Sequence, residues 1–262
     1  MKLLSSAKIN LNLEINSEIK GGLHTLNSLF IPIDLYDEIE IIEIDEVSDI
    51  ITFSPNIELN GKSTIEKSLN LLRENNSFSN HFAIIVTKNI PTESGLGGGS
   101  SNAGSIINYL CKTYDLEVPS NEDIAKKIGS DVPYFVDGKA ALVSGIGEKV
   151  EAQEGIENLD ILVAVPHEKI STADAYKTFD ELGDQNHFEK TKIKNIDLFN
   201  NMWNPAVTIE PKIQEHRDYL EEVFSIKFFL SGTGSTLFGI GDYHELEEGL
   251  KNVDKARFRL IK

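Results

Sequence analysis

A loop rich in glycine and serine is the part of the chain whose residue types most directly predict a chemistry. It runs Pro91-Thr-Glu-Ser-Gly-Leu-Gly-Gly-Gly-Ser-Ser-Asn-Ala-Gly104 and follows the apolar segment Phe82-Ala-Ile-Ile-Val86. Glycines let backbone N–H groups approach an anion closely, and the N-terminus of a helix, expected near Ser100, adds partial positive charge. The loop therefore predicts a site for a phosphate-bearing ligand. On this segment alone, a flexible surface turn remains the alternative.

Two familiar phosphate-binding motifs do not fit this loop. Counted from Gly95 and Gly97, a Rossmann fingerprint needs a third glycine where the chain has Ser100. The tripeptide Gly61-Lys-Ser63 resembles the end of a P-loop, but the required leading glycine is Asn56. Neither a dinucleotide-binding fold nor a P-loop nucleotidase is therefore supported.

Net charge limits what the ligand can be. The 262 residues carry a formal net charge of −17, from 25 basic and 42 acidic side chains. Nucleic-acid binding normally needs a basic face, so the composition argues against a nucleic-acid partner. A small anion stays compatible, because a few lysines and oriented amides can reverse the potential inside a cleft. The attraction for phosphate must therefore be local.

Composition also bears on location, membranes and metals. Hydrophobic residues make up 40% of the chain and charged residues 26%, as in ordinary globular enzymes. With no apolar run of membrane-span length and no signal-peptide core at the N-terminus, we expect a cytoplasmic protein with no membrane partner. The single cysteine, Cys111, excludes an intramolecular disulfide and is expected to be a buried packing residue. The six histidines show no metal-ligand spacing, so no protein metal site is expected.

Periodicity predicts the elements that must position the loop. In the first half, the alternation and apolar spacing predict strands over 6–15, 28–35, 37–44 and 82–86, helices over 64–75, 101–114 and 121–128, and two short strands around the turn Gly145-Ile-Gly147. In the second half they predict strands over 161–165, 227–230, 236–240 and 258–261 and helices from Ser171, over 212–223 and over 244–251. The order of strands and helices in the second half indicates a split β-α-β layer of ferredoxin type. The boundary between the halves is expected near residues 150–158.

Five segments, taken together and in order, resemble the GHMP kinase superfamily. They are Ala7-Lys-Ile-Asn-Leu-Asn-Leu13, Leu23-His-Thr25, the loop from Pro91 to Gly104, Ile128-Gly-Ser-Asp-Val-Pro-Tyr-Phe135 and Ser231-Gly-Thr-Gly-Ser235. The resemblance implies an α+β fold of two domains, with a ribosomal-S5-like ATP-binding domain over residues 1–152 and a ferredoxin-like domain over 153–262. The active site would lie in the cleft between them.

The resemblance also implies a reaction. Ala-Lys-Ile-Asn-Leu paired with Gly-Ser-Asp-Val-Pro is similar to the superfamily members that transfer the γ-phosphoryl of ATP, with Mg²⁺, to the 2-hydroxyl of 4-diphosphocytidyl-2-C-methyl-D-erythritol in non-mevalonate isoprenoid synthesis. By the resemblance, Asp131 would orient or accept the proton of that hydroxyl, and Lys8 would keep the carboxylate ionised and stabilise the oxyanion. Asn10, Asn12 and His24 would bind the substrate. The ATP triphosphate would lie on residues of the glycine loop: Pro91, Gly95, Leu96, Gly97, Gly98, Gly99, Ser100 and Ser101.

Departures from the superfamily pattern give further expectations. Relatives often carry tyrosine where this chain has Leu23. Because a leucine cannot stack on a base as an aromatic ring does, the contact to cytidine is expected to differ. Many relatives have an additional glycine where this chain has Thr92-Glu-Ser94. Glu93 would repel a triphosphate unless it points outward or meets the metal.

Each residue also has a purely structural interpretation. Lys8, Asn10 and Asn12 could be outward positions of a solvated strand, Asp131 an N-cap, and His24 a surface residue beside a turn. The functional alternatives are another GHMP kinase, acting on mevalonate, a phosphorylated mevalonate, homoserine or a sugar, and a silent relative that senses a nucleotide or sugar. A monomer and a homodimer are both compatible with the sequence.

Overall fold

The described part of the protein, taken from a computed structural model, contains two β-sheets with helices packed against them. The structure describes residues 1–56, 61–156, 159–183 and 188–262. The strands are β1 Lys2–Lys20, β2 Leu23–Ile44, β3 Ile50–Ser54, β4 His81–Thr87, β5 Ala141–Gly145, β6 Lys149–Ala152, β7 Ile161–Pro166, β8 Thr191–Ile193, β9 Ile196–Asn200, β10 Phe228–Leu230, β11 Leu237–Ile240 and β12 Phe258–Ile261. The helices are α1 Thr64–Asn75, α2 Gly98–Tyr114, α3 Asn121–Lys127, α4 Val132–Asp137, α5 Thr172–Leu182, α6 Trp203–Ile209, α7 Lys212–Phe224 and α8 Tyr243–Asn252.

The first sheet is organised around the two long strands β1 and β2. Its strand order is β3-β4-β2-β1-β9-β8, and β5 also pairs with β2 and with β6. The alternation Ala7, Ile9, Leu11, Leu13, Ile15 is buried at every position, which confirms the first predicted strand. The prediction of two separate strands over 28–35 and 37–44 is wrong, because β2 runs through both. Its register on β1 shifts between the pairs Ser6↔Tyr36 and Ala7↔Ile33, so a bulge bends the strand without interrupting the pairing.

The second sheet has the strand order β10-β11-β7-β12, and all of its pairs are antiparallel. The sequential order β7, α7, β10, β11, α8, β12 connects these strands, as in the split β-α-β arrangement expected from the sequence. The apolar run of β7 lies at a central position, and Leu162, Val163 and Ala164 are at most 2% exposed. The ferredoxin-like layer is thus confirmed.

Several elements were not predicted, each for a local reason. Helix α4 has only six residues, too few to show helical periodicity, and has proline in its first turn. Strands β8 and β9 form a hairpin whose turn residues, Lys194 and Asn195, both have positive φ. That turn usually carries asparagine and glycine, so Lys-Asn is a weak signal for it.

The division into two domains stays a prediction. Strand β9, from the second half of the chain, pairs in parallel with β1 through Asn12↔Phe199 and Leu13↔Asn200. The first sheet therefore draws strands from both sides of the expected boundary. Residues 157 and 158 of that boundary lie outside the described residues.

The helices of the first half pack over the first sheet. The buried residues of α1 and α2 share a core with β4, and Cys111 within it is 6% exposed, which confirms its packing role. Burial raises the pKa of its thiol. Among the described residues, no helix has the length and apolar character needed to cross a membrane.

Gly104 sets how closely α2 approaches α4. A Cβ at this position would lie 2.5 Å from the backbone carbon of Phe135. We expect Gly104→Ala to lower the free energy of unfolding by about 1–3 kcal/mol, because the two helices must move apart. Urea denaturation measures the change.

Gly99 in the same helix is the matched control. The nearest atom outside the helix to a Cβ at Gly99 would be Thr64 Oγ1, at 3.7 Å. Gly99→Ala should leave stability unchanged or raise it by up to about 1 kcal/mol, because alanine favours the helix. Equal unfolding midpoints for the two variants would contradict the packing argument.

Candidate active site

The glycine loop connects the end of β4 to the start of α2, as the sequence predicts. Helix α2 begins at Gly98, two residues earlier than expected, and its N-cap residue is Gly97 in the left-handed conformation, with φ of 74°. No side chain among the described residues caps this end of α2. The backbone amides of the first turn are therefore available to an anion, and the helix dipole favours negative charge there.

The loop is closely packed rather than loose. A Cβ on Gly95 would stand 2.2 Å from Ser231 O, and one on Gly97 would stand 2.8 Å from Phe135 Cε2 and 3.2 Å from Lys8 Cε. Only hydrogen fits at these two positions. The glycines therefore bring the backbone against Lys8 on one side and against the loop at Ser231 on the other.

Lys8 is a buried lysine turned towards the loop. Its side chain is 3% exposed, and its backbone N–H donates to Leu96 O at 3.0 Å. The ammonium donates to Asn10 Oδ1 at 2.5 Å and lies 3.5 Å from Asp131 Oδ2. Burial lowers the pKa of Lys8, while the charge of Asp131 and its hydrogen bond act in the opposite direction. Lys8 is thus not the solvated strand lysine of the structural alternative.

Asp131 stands at the N-cap position of α4 without capping it. Its side chain makes no cap hydrogen bond, is 29% exposed and faces the Lys8 ammonium. The segment before it is fixed by the β5–β6 turn, since a Cβ on Gly147 would lie 2.0 Å from Ser130 O. The carboxylate is therefore held beside Lys8 with part of its surface open to a ligand.

The two asparagines of β1 have different surroundings. Asn10 is 2% exposed, accepts from Lys8 and donates from Nδ2 to Ser28 Oγ at 2.8 Å. Asn12 donates to Asp197 O at 3.1 Å and accepts from the N–H of Leu29 at 2.9 Å. Asn10 thus orients the ammonium of Lys8, and Asn12 ties β1 to neighbouring strands. Their contacts with substrate stay a prediction.

His24 lies against helix α5. Its Nδ1 is 2.9 Å from Asn16 O, its Nε2 is 3.0 Å from Asp180 Oδ1, and its ring stacks on Tyr176 at 5.7 Å between centroids. Burial and the charge of Asp131 raise the pKa of the Tyr176 phenol. Tyr176 therefore places an aromatic ring beside His24, next to the position where this chain has Leu23.

The two serines at the start of α2 face different ways. Ser101 is 1% exposed, and its hydroxyl is 2.6 Å from Ser5 Oγ, inside the protein. Ser100 is half-buried, and its Oγ would lie 3.9 Å from a Cβ on Gly129, two residues before Asp131. Ser100 is accordingly the serine whose hydroxyl lies near Gly129, in the segment that leads to Asp131.

The loop Ser231–Ser235 packs against the glycine loop on the side opposite Lys8. Ser231 Oγ donates to Gly95 O at 3.3 Å and accepts from the Asn10 N–H at the same distance. The backbone N–H of Thr236 donates to Ser94 O at 3.2 Å. This loop of the second half therefore fixes the glycine loop directly.

A fully buried carboxylate, Asp37, supports both ends of the glycine loop. It accepts from the backbone N–H groups of Asn89 and Ile90 at 2.7 and 2.8 Å, before the loop. It also accepts from Lys88 Nζ and, at 2.9 Å, from Asn102 Nδ2 near the start of α2. Asp37 was not among the residues singled out from the sequence. A signal was present, because Asp37 occupies an inward position of the alternation Leu35, Asp37, Ile39, Ile41.

The structure thus brings together most of the residues that the sequence singles out. Asn10 and Asp131 lie beside the ammonium group of Lys8, and the glycine loop passes Lys8 at Gly97. A carboxylate next to a lysine and an anion-binding loop can orient a hydroxyl towards a bound phosphate. Among the described residues, no group of three or more His, Cys, Asp or Glu side chains is arranged to hold a metal ion.

Comparisons of sequence place this arrangement among known proteins. The family described as GHMP kinases N terminal domain matches residues 63–139. The 4-diphosphocytidyl-2-C-methyl-D-erythritol kinase of Sulfurihydrogenibium sp. (strain YO3AOP1) is 34% identical over 253 residues, which cover 91% of this chain and 90% of the relative. The kinase of the same name from Fusobacterium nucleatum is 33% identical, with 90% of this chain and 87% of the relative covered.

Comparisons of structure agree on the fold. A crystal structure of 4-(cytidine 5'-diphospho)-2C-methyl-D-erythritol kinase has a TM-score of 0.78 and 24% identity and covers 100% of this chain and 97% of its own. A mevalonate kinase has a TM-score of 0.64 and 18% identity, with 100% and 98% covered. At these identities the likeness establishes the fold of the chain.

Asp37 provides a test of how the loop is supported. Asp37→Asn leaves the buried ammonium of Lys88 without its counter-charge, so we expect the free energy of unfolding to fall by about 3–5 kcal/mol. The double variant Asp37→Asn, Lys88→Met removes both charges and should recover part of the loss. Urea denaturation measures both.

The exposed Asp34 on the same strand is the control. Asp34→Asn should change stability by no more than about 0.5 kcal/mol. A similar small change in Asp37→Asn would mean that the buried carboxylate does not hold the loop ends.

Proposed function

This chain belongs to the 4-diphosphocytidyl-2-C-methyl-D-erythritol kinases, a family of GHMP kinases, and from that premise we propose how its residues divide the work. The enzyme transfers the γ-phosphoryl of ATP to the 2-hydroxyl of 4-diphosphocytidyl-2-C-methyl-D-erythritol in non-mevalonate isoprenoid synthesis. Relatives of that name, 34% and 33% identical over about nine-tenths of the chain, support this function. The observation that carries the residue assignment is the Lys8–Asp131 pair, 3.5 Å apart beside the glycine loop.

Asp131 is proposed as the group that orients the 2-hydroxyl and accepts its proton. In the transfer, the substrate O–H bond breaks and its proton passes to the carboxylate. A new bond forms from that oxygen to the γ-phosphorus, and ADP leaves with the electrons of the broken P–O bond. The partial exposure of the carboxylate, 29%, supports this role, because the hydroxyl can reach it.

Lys8 is proposed to hold that carboxylate ionised and to stabilise negative charge as it develops on the transferred group. Its neighbours support a fixed position: Asn10 accepts from the ammonium, and the Phe30 ring centroid lies 4.8 Å from it. A charge that does not need to reorganise is more effective than a mobile one on the surface. Burial around Lys8 strengthens its interaction with the reacting oxygens.

The triphosphate of ATP is proposed to lie over the glycine loop from Pro91 to Ser101. The uncapped first turn of α2 supports this placement, since its amides point to where an anion would sit. Of the two serines, the position of Ser100 favours contact with phosphate, because the hydroxyl of Ser101 is bonded to Ser5. Mg²⁺ is proposed to enter as a complex with the phosphates, neutralising their charge.

The cytidyl and erythritol groups are proposed to lie on the side of Asn10, Asn12 and His24. Tyr176 supports this location for the base, because its ring stacks on His24 and could offer the aromatic face absent at Leu23. A cytoplasmic enzyme, monomeric or homodimeric, is part of the same proposal.

The function is tested by measuring ADP release from ATP and magnesium with a panel of alcohols. We expect turnover with 4-diphosphocytidyl-2-C-methyl-D-erythritol and none with mevalonate, homoserine or galactose. Turnover of another alcohol alone would keep the reaction type and overturn the substrate. Binding of ATP with no turnover of any alcohol would favour a nucleotide sensor.

Asp131 is tested by removing its charge while keeping its shape. Asp131→Asn should lower kcat by about 10²–10⁴-fold, because the amide cannot accept the proton. The matched control is Asp137→Asn at the other end of α4, where the side chain is 67% exposed. Steady-state kinetics with both substrates measures the effect, and near-normal kcat in Asp131→Asn would remove this residue from the mechanism.

A further inference from the structure

An ion pair crosses from the glycine loop to the second half of the chain. Lys169 Nζ lies 3.5 Å from Glu93 Oε2 and 3.5 Å from Thr92 Oγ1. Lys169 belongs to the connection between β7 and α5, whereas Thr92 and Glu93 belong to the glycine loop. The pair therefore lies at the edge of the proposed nucleotide site.

The backbone of Lys169 is firmly anchored on both sides. Its neighbour Ile170 is 1% exposed and would touch a Cβ on Gly234 at 3.0 Å. Its other neighbour, Glu168, accepts from the Ser235 hydroxyl at its backbone oxygen. Both contacts lead to the loop that packs on Gly95. The base of Lys169 is thus fixed relative to the glycine loop, while its ammonium end is paired at the surface.

Glu93 is held in an unfavourable backbone conformation. Its φ is 55°, in the left-handed region that glycine adopts readily and other residues rarely do. Its side chain is 63% exposed and directed to Lys169. An exposed pair of this kind contributes only about 0–1 kcal/mol, so little free energy opposes its separation.

The basic side chains near the glycine loop differ in how firmly they are bound, and this difference distinguishes the Lys169–Glu93 pair. Residues 91–101 contain one acid and no base. Lys88 is bonded to the buried Asp37, and Lys8 is bonded to Asn10 and faces Asp131. Arg259 donates to the backbone oxygen of Asn89 at 2.6 Å, just before the loop. Lys169, by contrast, is 59% exposed, and its ammonium contacts a surface carboxylate and a hydroxyl. In a chain of net charge −17, a triphosphate needs such a cation nearby.

We propose that Lys169 is a further phosphate-binding residue of the nucleotide site, and that Glu93 holds its ammonium until phosphate oxygens replace the carboxylate. The exchange trades one exposed carboxylate for an anion of higher charge, which binds lysine more strongly. The inference rests on the proposed location of ATP over the glycine loop. Glu93 then lowers affinity for the nucleotide by competing for the same cation.

The test is a series of dissociation constants measured by calorimetry for ATP, ADP and adenosine, without acceptor alcohol. Lys169→Met should weaken ATP binding about tenfold, the value of one charge-assisted hydrogen bond, and leave adenosine unchanged. The effect on ADP should fall between these two. Glu93→Gln should tighten ATP binding about threefold, because the competing charge is gone.

Lys212 provides the matched control. Like Lys169, it is an exposed lysine paired with a carboxylate. Its partner is Glu168, at 3.3 Å, in the second half of the chain. Lys212→Met should leave all three dissociation constants unchanged, and urea denaturation should give the same stability for it and for Lys169→Met.

Two results would overturn the inference. One is an equal effect of Lys169→Met on ATP and adenosine, or no effect on either. The other is weaker ATP binding in Glu93→Gln, which would make Glu93 a support of the loop instead of a competitor. If the unaltered protein neither binds ATP nor phosphorylates an alcohol, the proposed function itself fails, so the two failures are distinguishable.

Discussion

The burial of one ammonium group constrains most of the site. Lys8 is 3% exposed, and a charge removed from water is costly unless polar partners replace the lost hydration. Asn10 and Asp131 supply those partners, and they come from a strand and from the start of α4. Because the ammonium requires both, the position of α4 relative to β1 is tied to the chemistry. The same requirement leaves Asp131 facing Lys8 instead of capping its own helix.

Close backbone contact is the second constraint, and it depends on glycine. Gly97 allows the glycine loop to approach Lys8, and Gly95 allows it to approach the loop at Ser231. The uncapped amides at the start of α2 are therefore fixed by contacts from both halves of the chain. Asp37 also supports the loop. It accepts hydrogen bonds from the backbone N–H of Asn89, just before the loop, and from the side chain of Asn102 near the start of α2. A preorganised loop of this kind costs little to order when a ligand binds.

An acidic protein that binds a polyanion must attract it with positive groups placed locally, because its overall charge is repulsive. The overall charge of −17 repels phosphate, whereas the uncapped helix end and a few lysines attract it. These lysines are in different states. Lys8 and Lys88 are buried and paired with groups inside the protein, and Lys169 is exposed and paired with Glu93. Such an arrangement concentrates the attraction at the loop and limits it elsewhere.

The sequence by itself determined the local features, because they depend on residues close together in the chain. The glycine loop before α2, the alternation of β1 and the apolar run of β7 were readable from residue types and spacing. The buried acid at Asp37 was also visible as a break in an apolar pattern, although it was missed. The ordered motifs also led to the correct superfamily.

Only the tertiary structure decided how side chains distant in the chain face one another. The contact of Lys169 with Glu93 and the burial of Ser101 against Ser5 join separate elements. The resemblance already implied that Lys8 lies beside Asp131, but the contact of the Lys8 ammonium with Asn10 arises only in the folded chain. The bulge that keeps β2 continuous arises from its pairing with β1. A sequence pattern reports which face of an element is apolar, but it does not report which polar group another element will place beside it. That choice follows from packing, since the elements settle where apolar faces are covered and buried charges are paired.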